Sequence, residues 1–386
     1  MNDVIYMDHQ ATTPVDPRVV DRMLPYFTEK FGNSSSRSHA FGWQAEEAVE
    51  AARAHVAALL GAEPREVIFT SGATEANNLA LFGVVEAHPH KDHIVTQATE
   101  HKAVLDVCHA LEERGTRVTY LPVDRDGLVD PQAVADAIEP STALVSIMHA
   151  NNEVGTVQPL AEIGAICRAK GVLLHTDAAQ SAGKIPLKVN ELRVDLVSLS
   201  GHKLYAPKGV GALYVRRRDP RVNLRPQTFG GGQERGLRPG TLNVPGIVGL
   251  GEATRLAQVE LPTEGPRLTD LRERLWQELR ARVEGVELNG HRTQRLPGNL
   301  SVGFSGVDAE TLLLAMPGVA LSSGSACTST NLEPSHVLLA MGRTPAQARA
   351  ALRFGLGRGN TAAHIVEVVS LIDENSRKIK QLHART

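Results

Sequence analysis

Val172-Leu173-Leu174-His175-Thr176-Asp177-Ala178-Ala179-Gln180 and, after a short interval, Leu196-Val197-Ser198-Leu199-Ser200-Gly201-His202-Lys203 decide the fold. Each stretch opens as a nearly unbroken apolar run and ends in polar residues. A short apolar run without alternation belongs to a strand covered on both faces, as in a parallel sheet. Working outward, the same texture recurs at Val67–Thr70, Ile94–Thr96, Val118–Leu121, Ala143–Met148 and Gly211–Val215, with helical periodicity between the runs. Strand-then-helix repetition predicts an α/β fold with a mostly parallel central sheet, helices on both faces and functional loops at the carboxyl ends of the strands. From Pro266 the texture changes. A charged amphipathic helix is expected over Leu268–Val283, short strands around Leu300–Phe304, a Ser/Gly-rich loop at Ser322–Thr330 and a closing helix from Ala363. The chain therefore reads as a large domain over residues 15–260 and a smaller α+β domain built from residues 1–14 and 261–386.

Composition narrows the function. The 386 residues carry 41 Lys+Arg against 43 Asp+Glu, with 42% hydrophobic and only 4% aromatic residues, so neither a disordered tail nor an extended nucleic-acid surface is expected. No apolar run approaches the ~20 residues that span a bilayer, and the first residues have neither a basic segment nor an apolar core. Three cysteines without metal-ligand spacing fit a reducing, cytoplasmic setting. Cys108 and Cys167 fall on apolar helix faces and read as small core residues. Cys327 sits in Ser322-Ser323-Gly324-Ser325-Ala326-Cys327-Thr328-Ser329-Thr330, where no apolar period would bury it, and a functional thiol is expected there. The histidines of His88-Pro89-His90-Lys91-Asp92-His93 lie between a helix and a strand with a proline among them, and a metal site needs a convergent shell, so no metal is expected. Arg216-Arg217-Arg218 reads as a solvated turn.

Four strand ends carry chemistry. Thr70-Ser71-Gly72-Ala73-Thr74-Glu75-Ala76 is a small-residue turn into a helix, suited to an anion. Thr99-Glu100-His101-Lys102, the Asp177 strand end and the Ser200-Gly201-His202-Lys203 turn add a histidine, a carboxylate and a lysine. A buried carboxylate needs a partner, which a cation would supply. An anion cup, a carboxylate and a lysine together are the parts that pyridoxal 5'-phosphate requires.

These segments occur in order with Asp8-His9-Gln10-Ala11-Thr12-Thr13-Pro14, Asn151-Asn152-Glu153-Val154-Gly155, Arg238-Pro239-Gly240-Thr241 and Ser323-Gly324-Ser325-Ala326-Cys327. The whole resembles the cysteine desulfurases of the class V aminotransferase family, in the group with a long cysteine-bearing loop. One departure is Pro239, where relatives commonly have serine. The resemblance implies the fold type I of pyridoxal-phosphate-dependent transferases. It implies Lys203 as the Schiff-base lysine and base, Asp177 on the pyridinium nitrogen, Gln180 on the ring oxygen, and His101 over the ring. Ala73, Thr74, Ser200 and His202 would hold the phosphate, and Thr241 would reach a phosphate across a homodimer interface. Arg353, with Asn152 assisting, would clamp the substrate carboxylate. Cys327 would take the sulfur of L-cysteine as a persulfide, releasing L-alanine. The sulfur would pass to an acceptor protein, an iron–sulfur scaffold or a carrier for tRNA thiolation. The chain ends at Thr386, soon after the closing helix, where relatives that feed the housekeeping scaffold often run on. A selenocysteine lyase, or another class V lyase or aminotransferase, is the alternative reading.

Overall fold

The computed structural model describes residues 4–323 and 333–383. Its strands in chain order are β1 (Ile5–Tyr6), β2 (Val67–Thr70), β3 (His93–Gln97), β4 (Arg117–Leu121), β5 (Thr142–Ser146), β6 (Leu173–Asp177), β7 (Leu196–Ser200) and β8 (Gly211–Val215). β9 (Val286–Asn289), β10 (Asn299–Phe304), β11 (Val319–Ala320), β12 (Ser322–Ser323) and β13 (Ala351–Gly355) follow.

The seven strands β2 to β8 form one sheet in the order β2-β8-β7-β6-β5-β3-β4. Only β8 runs against its neighbours; β7, β6, β5, β3 and β4 are mutually parallel. β2, β3, β5, β7 and β8 are buried along their whole length, which explains their unbroken apolar runs. One apolar cluster packs Val56, Leu60, Leu174 and Val197 on one face of this sheet, and another packs Leu79, Val104, Cys108 and Leu144 on the other. A second, antiparallel sheet in the order β12-β13-β10-β9 has its own cluster, including Leu300, Phe354, Leu275 and Val368.

Two expectations need correction. Pro262 and Pro266 do not interrupt the helix: they lie inside one element, Val244–Arg282, so the helix expected to start at Leu268 begins much earlier. Each internal proline costs roughly 3 kcal/mol of helix propensity. The helix survives because Ile247, Leu250, Leu256 and Ala257 pack on the first cluster, and Leu268, Leu275 and Leu279 on the other. Its Gly251 admits close packing, since a Cβ there would lie 2.5 Å from Ala52 of the helix Ala40–Leu60. Arg216 is likewise not solvated: it is buried, 3.1 Å from Asp195, and donates to the Val189 and Val194 carbonyls. Among the described residues no helix is long and apolar enough to cross a membrane.

Two buried histidines make stability depend on pH. His175 is enclosed between Ser146 and Ser198, and His149 bonds Ser181. Burial pushes both pKa values down to about 4. Between the unfolded value of about 6.5 and about 4 the unfolded chain binds more protons, so acidification through that window destabilises the fold. Each histidine is expected to contribute on the order of 1 kcal/mol per pH unit there. A urea midpoint that falls less, or rises more, between pH 7 and pH 5 in His149→Gln than in wild type checks this, because Glu153, pushed up to about 7 by burial, acts with the opposite sign in the same window.

Candidate active site

A cleft of about 560 Å³ opens at the carboxyl ends of β2, β6 and β7. Its lining includes Ala73, Thr74, His101, Asn152, Asp177, Gln180, Ser200, His202, Lys203 and Arg353. The structure thus brings together ten residues from segments far apart in the chain. Thr241 is exposed and does not line this cleft, and Cys327 lies outside the described residues.

At one end Ser71 and Gly72 lead from β2 into the helix Ala73–Ala87, whose first-turn N–H groups have no partner within the helix. Gly211, paired with Thr70, permits this turn: a Cβ there would lie 2.6 Å from the Cα of Gly72. Glu75 accepts the Ser71 N–H at 2.6 Å and is paired with Arg238 at 2.8 Å, which ties the loop of Thr241 to the helix start. Facing it, Ser200 ends β7 and the turn Gly201–Lys203 follows. His202 bonds Thr12 at 3.1 Å, and burial together with Lys203 and Lys208 pushes its pKa down to about 4.

The centre is built by strand ends. Asp177, the last residue of β6, is buried; its Oδ2 accepts from the Asn77 amide at 2.8 Å and its Oδ1 from the Ala179 N–H at 2.9 Å. Gln180 donates to the Gln10 carbonyl at 2.9 Å. Lys203 donates to the carbonyls of Gln10 and Ala11, the latter at 2.7 Å. His101 caps the helix Lys102–Glu112, its Nδ1 accepting the Ala103 N–H at 3.0 Å. That bond leaves the proton on Nε2 while the ring is neutral. Burial lowers its pKa, opposed by Asp177 and reinforced by Lys203, so a neutral ring is the resting form.

Arg353 in β13 is almost fully buried. Its Nη1 donates to the Asn152 carbonyl and its Nη2 to Asp8, both at 2.9 Å, while Nε has no hydrogen-bond partner among the described residues. Arg353 lines the cleft, and a guanidinium there suits a carboxylate ligand. Ser322 pairs with Arg353 in β12, so the expected loop begins as a strand, and residues 324–332 lie outside the described residues. Sequence reasoning assigned no role to Asp8, Gln10, Ala11, Thr12 or Asn77, although the first four stand in a motif that carried the resemblance and Asn77 directly follows another. The buried Cys108 and Cys167 have thiols pushed up to about 12 by burial, which suits packing and not nucleophilic attack.

Pyridoxal phosphate fits these residues: N–H groups and hydroxyls for a phosphate, a held carboxylate, an amide and a lysine in one cleft of ordinary ligand size. The profile of the family described as aminotransferase class-V matches residues 5–368. The chain belongs to this family. Its members depend on pyridoxal phosphate, and so does this chain. Among class-V relatives, the cysteine desulfurase IscS of Anaeromyxobacter dehalogenans (strain 2CP-C) is 55% identical over 379 residues, 98% of this chain and 94% of the relative. A solved NifS-like protein superposes with a TM-score of 0.88 at 39% identity, covering 99% of this chain and all of that one. A structure described as SspA in complex with cysteine matches with a TM-score of 0.81 at 39% identity, over 91% of this chain and 98% of its own.

Asp177→Ala is expected to weaken cofactor affinity at least about tenfold, because the bound ring loses its carboxylate partner. Asn77→Ala, which removes only a support of that carboxylate, is expected to cost less, about threefold. Absorbance titration of the cofactor-free proteins with pyridoxal phosphate measures both.

Proposed function

We propose that this class-V enzyme is a pyridoxal-phosphate-dependent cysteine desulfurase, converting L-cysteine to L-alanine and leaving the sulfur as a persulfide on Cys327. The observation that carries the proposal is the arrangement around Arg353. Lys203, Asp177, His101 and Arg353 line one cleft, and the described residues on either side of the Cys327 segment are joined to residues at that cleft or next to it. Ser322 stands opposite Arg353, and Ser335 bonds Glu153, the neighbour of Asn152.

Ala73, Thr74, Ser200 and His202 would hold the cofactor's phosphate, Asp177 and Gln180 its ring, and Lys203 would carry it. When bound, the cofactor supplies an electron sink for the substrate's α-carbon. Arg353 orients the substrate by its carboxylate, with the Asn152 turn behind it. Lys203 takes the α-proton, and His101 presents Nε2–H toward the reacting groups. The Cys327 thiolate attacks the substrate sulfur: an S–S bond forms, the C–S bond breaks with its electron pair left on the substrate carbon, and that carbon is protonated to give alanine. The sulfur then passes to an acceptor protein, an iron–sulfur scaffold or a sulfur carrier.

The same reading includes a homodimer in the cytoplasm. Phe27, Phe31, Phe41 and Trp43 are all exposed on the single chain, with Phe31 and Phe41 in ring contact at 5.2 Å. Exposed aromatic side chains of that kind suit a covering partner, and the exposed Thr241 suits a role in a second copy's cleft. Sedimentation at micromolar concentration should give a dimer. Incubation with L-cysteine, followed by alanine assay and intact mass, should show a gain of sulfur located at Cys327. No alanine from L-cysteine would overturn the activity.

A further inference from the structure

Glu153 takes no part in the chemistry above, yet its side chain is buried in the turn that carries Asn152. Burial pushes its pKa up to about 7, opposed by Ser335 and Arg353. A buried carboxyl in such a place needs a donor, and the Ser335 hydroxyl supplies it. The Ser335 oxygen also accepts the Leu338 N–H at 3.2 Å and caps the helix His336–Ala340. Its own proton therefore points to Glu153, and one side chain orients the whole turn. The next residue, His336, bonds the carbonyl of Glu100 at 3.0 Å, beside His101.

The Glu153 side of the contact is equally held. The Asn151 side-chain oxygen accepts the N–H groups of Glu153 and Val154, and the Glu153 carbonyl accepts from Asn299 at 3.1 Å. The adjoining Asn152 carbonyl accepts from Arg353. One firmly braced turn thus touches the carboxylate clamp through Asn152 and the Ser335 turn through Glu153.

We propose that the Glu153–Ser335 pair is a positioning device for the sulfur-transfer step. It ties the chain that follows the Cys327 segment to the turn that supports Arg353, as the β12–β13 pairing ties the chain before it. The inference rests on the desulfurase reading. Attack on sulfur is sensitive to the placement of the thiol, so a loosened tether slows this step. Capture of L-cysteine uses Lys203, Asp177 and Arg353 and does not need the tether.

The test uses cofactor-loaded Glu153→Ala, Glu153→Gln, Ser335→Ala and the Glu153→Ala/Ser335→Ala double variant. Two quantities are measured: the cysteine concentration that half-saturates the change in cofactor absorbance, and the rate of alanine release. Each alanine variant should release alanine about tenfold more slowly while half-saturation stays within about twofold. The double variant should be no slower than the slower single variant, because both remove one interaction. Glu153→Gln keeps an oxygen for the Ser335 hydroxyl and should restore at least about a third of the wild-type rate. Unchanged release in Ser335→Ala, equal losses in capture and release, or losses that multiply in the double variant would overturn the proposal. If Glu153→Ala does not fold, Ser335→Ala and Glu153→Gln decide alone. A wild type that makes no alanine refutes the desulfurase reading itself, an outcome separate from failure of the pair.

Discussion

Lys203→Ala is expected to lose the visible absorbance of bound pyridoxal phosphate and to lower alanine production from L-cysteine at least about a thousandfold, with the fold retained. Among the described residues lining the cleft, lysine is the side-chain type that bonds covalently to the cofactor's aldehyde as a Schiff base and then takes a proton from carbon. The structure supplies two rivals. Lys208 lines the same cleft but is exposed, beyond Pro207. Lys184 shares a neighbouring cavity with Lys203, and burial, with Lys203 and Arg353, pushes its pKa down to about 7, a value that suits a nucleophile. Yet Lys184 follows the strand end by seven residues and bonds the Gln180 side chain at 3.4 Å. Lys203 instead closes the β7 turn and reaches the Gln10–Ala11 carbonyls on the cleft wall. Borohydride reduction and peptide mapping should place the cofactor on Lys203. A cofactor mapped to Lys184 or Lys208 would falsify the assignment.

Cys327→Ser is expected to nearly eliminate alanine formation from L-cysteine, by about a hundredfold or more, while the cysteine-induced change in cofactor absorbance persists. The two effects separate because capture uses Lys203, Asp177 and Arg353, and none of these is altered. A carbon–sulfur bond breaks with difficulty unless a nucleophile takes the sulfur, and a serine hydroxyl is not such a nucleophile at neutral pH. A selenol is more acidic and leaves more readily, so the variant should keep part of its activity on L-selenocysteine. Side-by-side alanine assays with both substrates check this. Undiminished turnover of L-cysteine would remove Cys327 from the reaction and revive the lyase alternative.

The strands and their chemical ends were legible because both are local. Covered strands demand unbroken apolar runs, and Asp177, Ser200 and Lys203 stand where β6 and β7 stop. The turn Ser71–Gly72 announced itself by small residues before a helix. The long helix was not legible: two prolines argue for a break, and only packing on two separate apolar clusters keeps Val244–Arg282 continuous.

Residue order and periodicity thus settled the sheet, the residues at its carboxyl edge and the kind of cofactor they suit. What tertiary structure alone decided is who supports whom. Arg353 meets Asp8 across 345 residues of sequence, Asn77 holds Asp177 across 100, and Ser335 reaches Glu153 across 182. No local propensity encodes such pairs. The first depends on the register of β13 beside β10 and on where the N-terminal segment crosses the turn of Lys203, and the second on how the helix Ala73–Ala87 lies against β6. Those placements are set by burial of whole apolar faces, which a linear pattern announces without naming the partner.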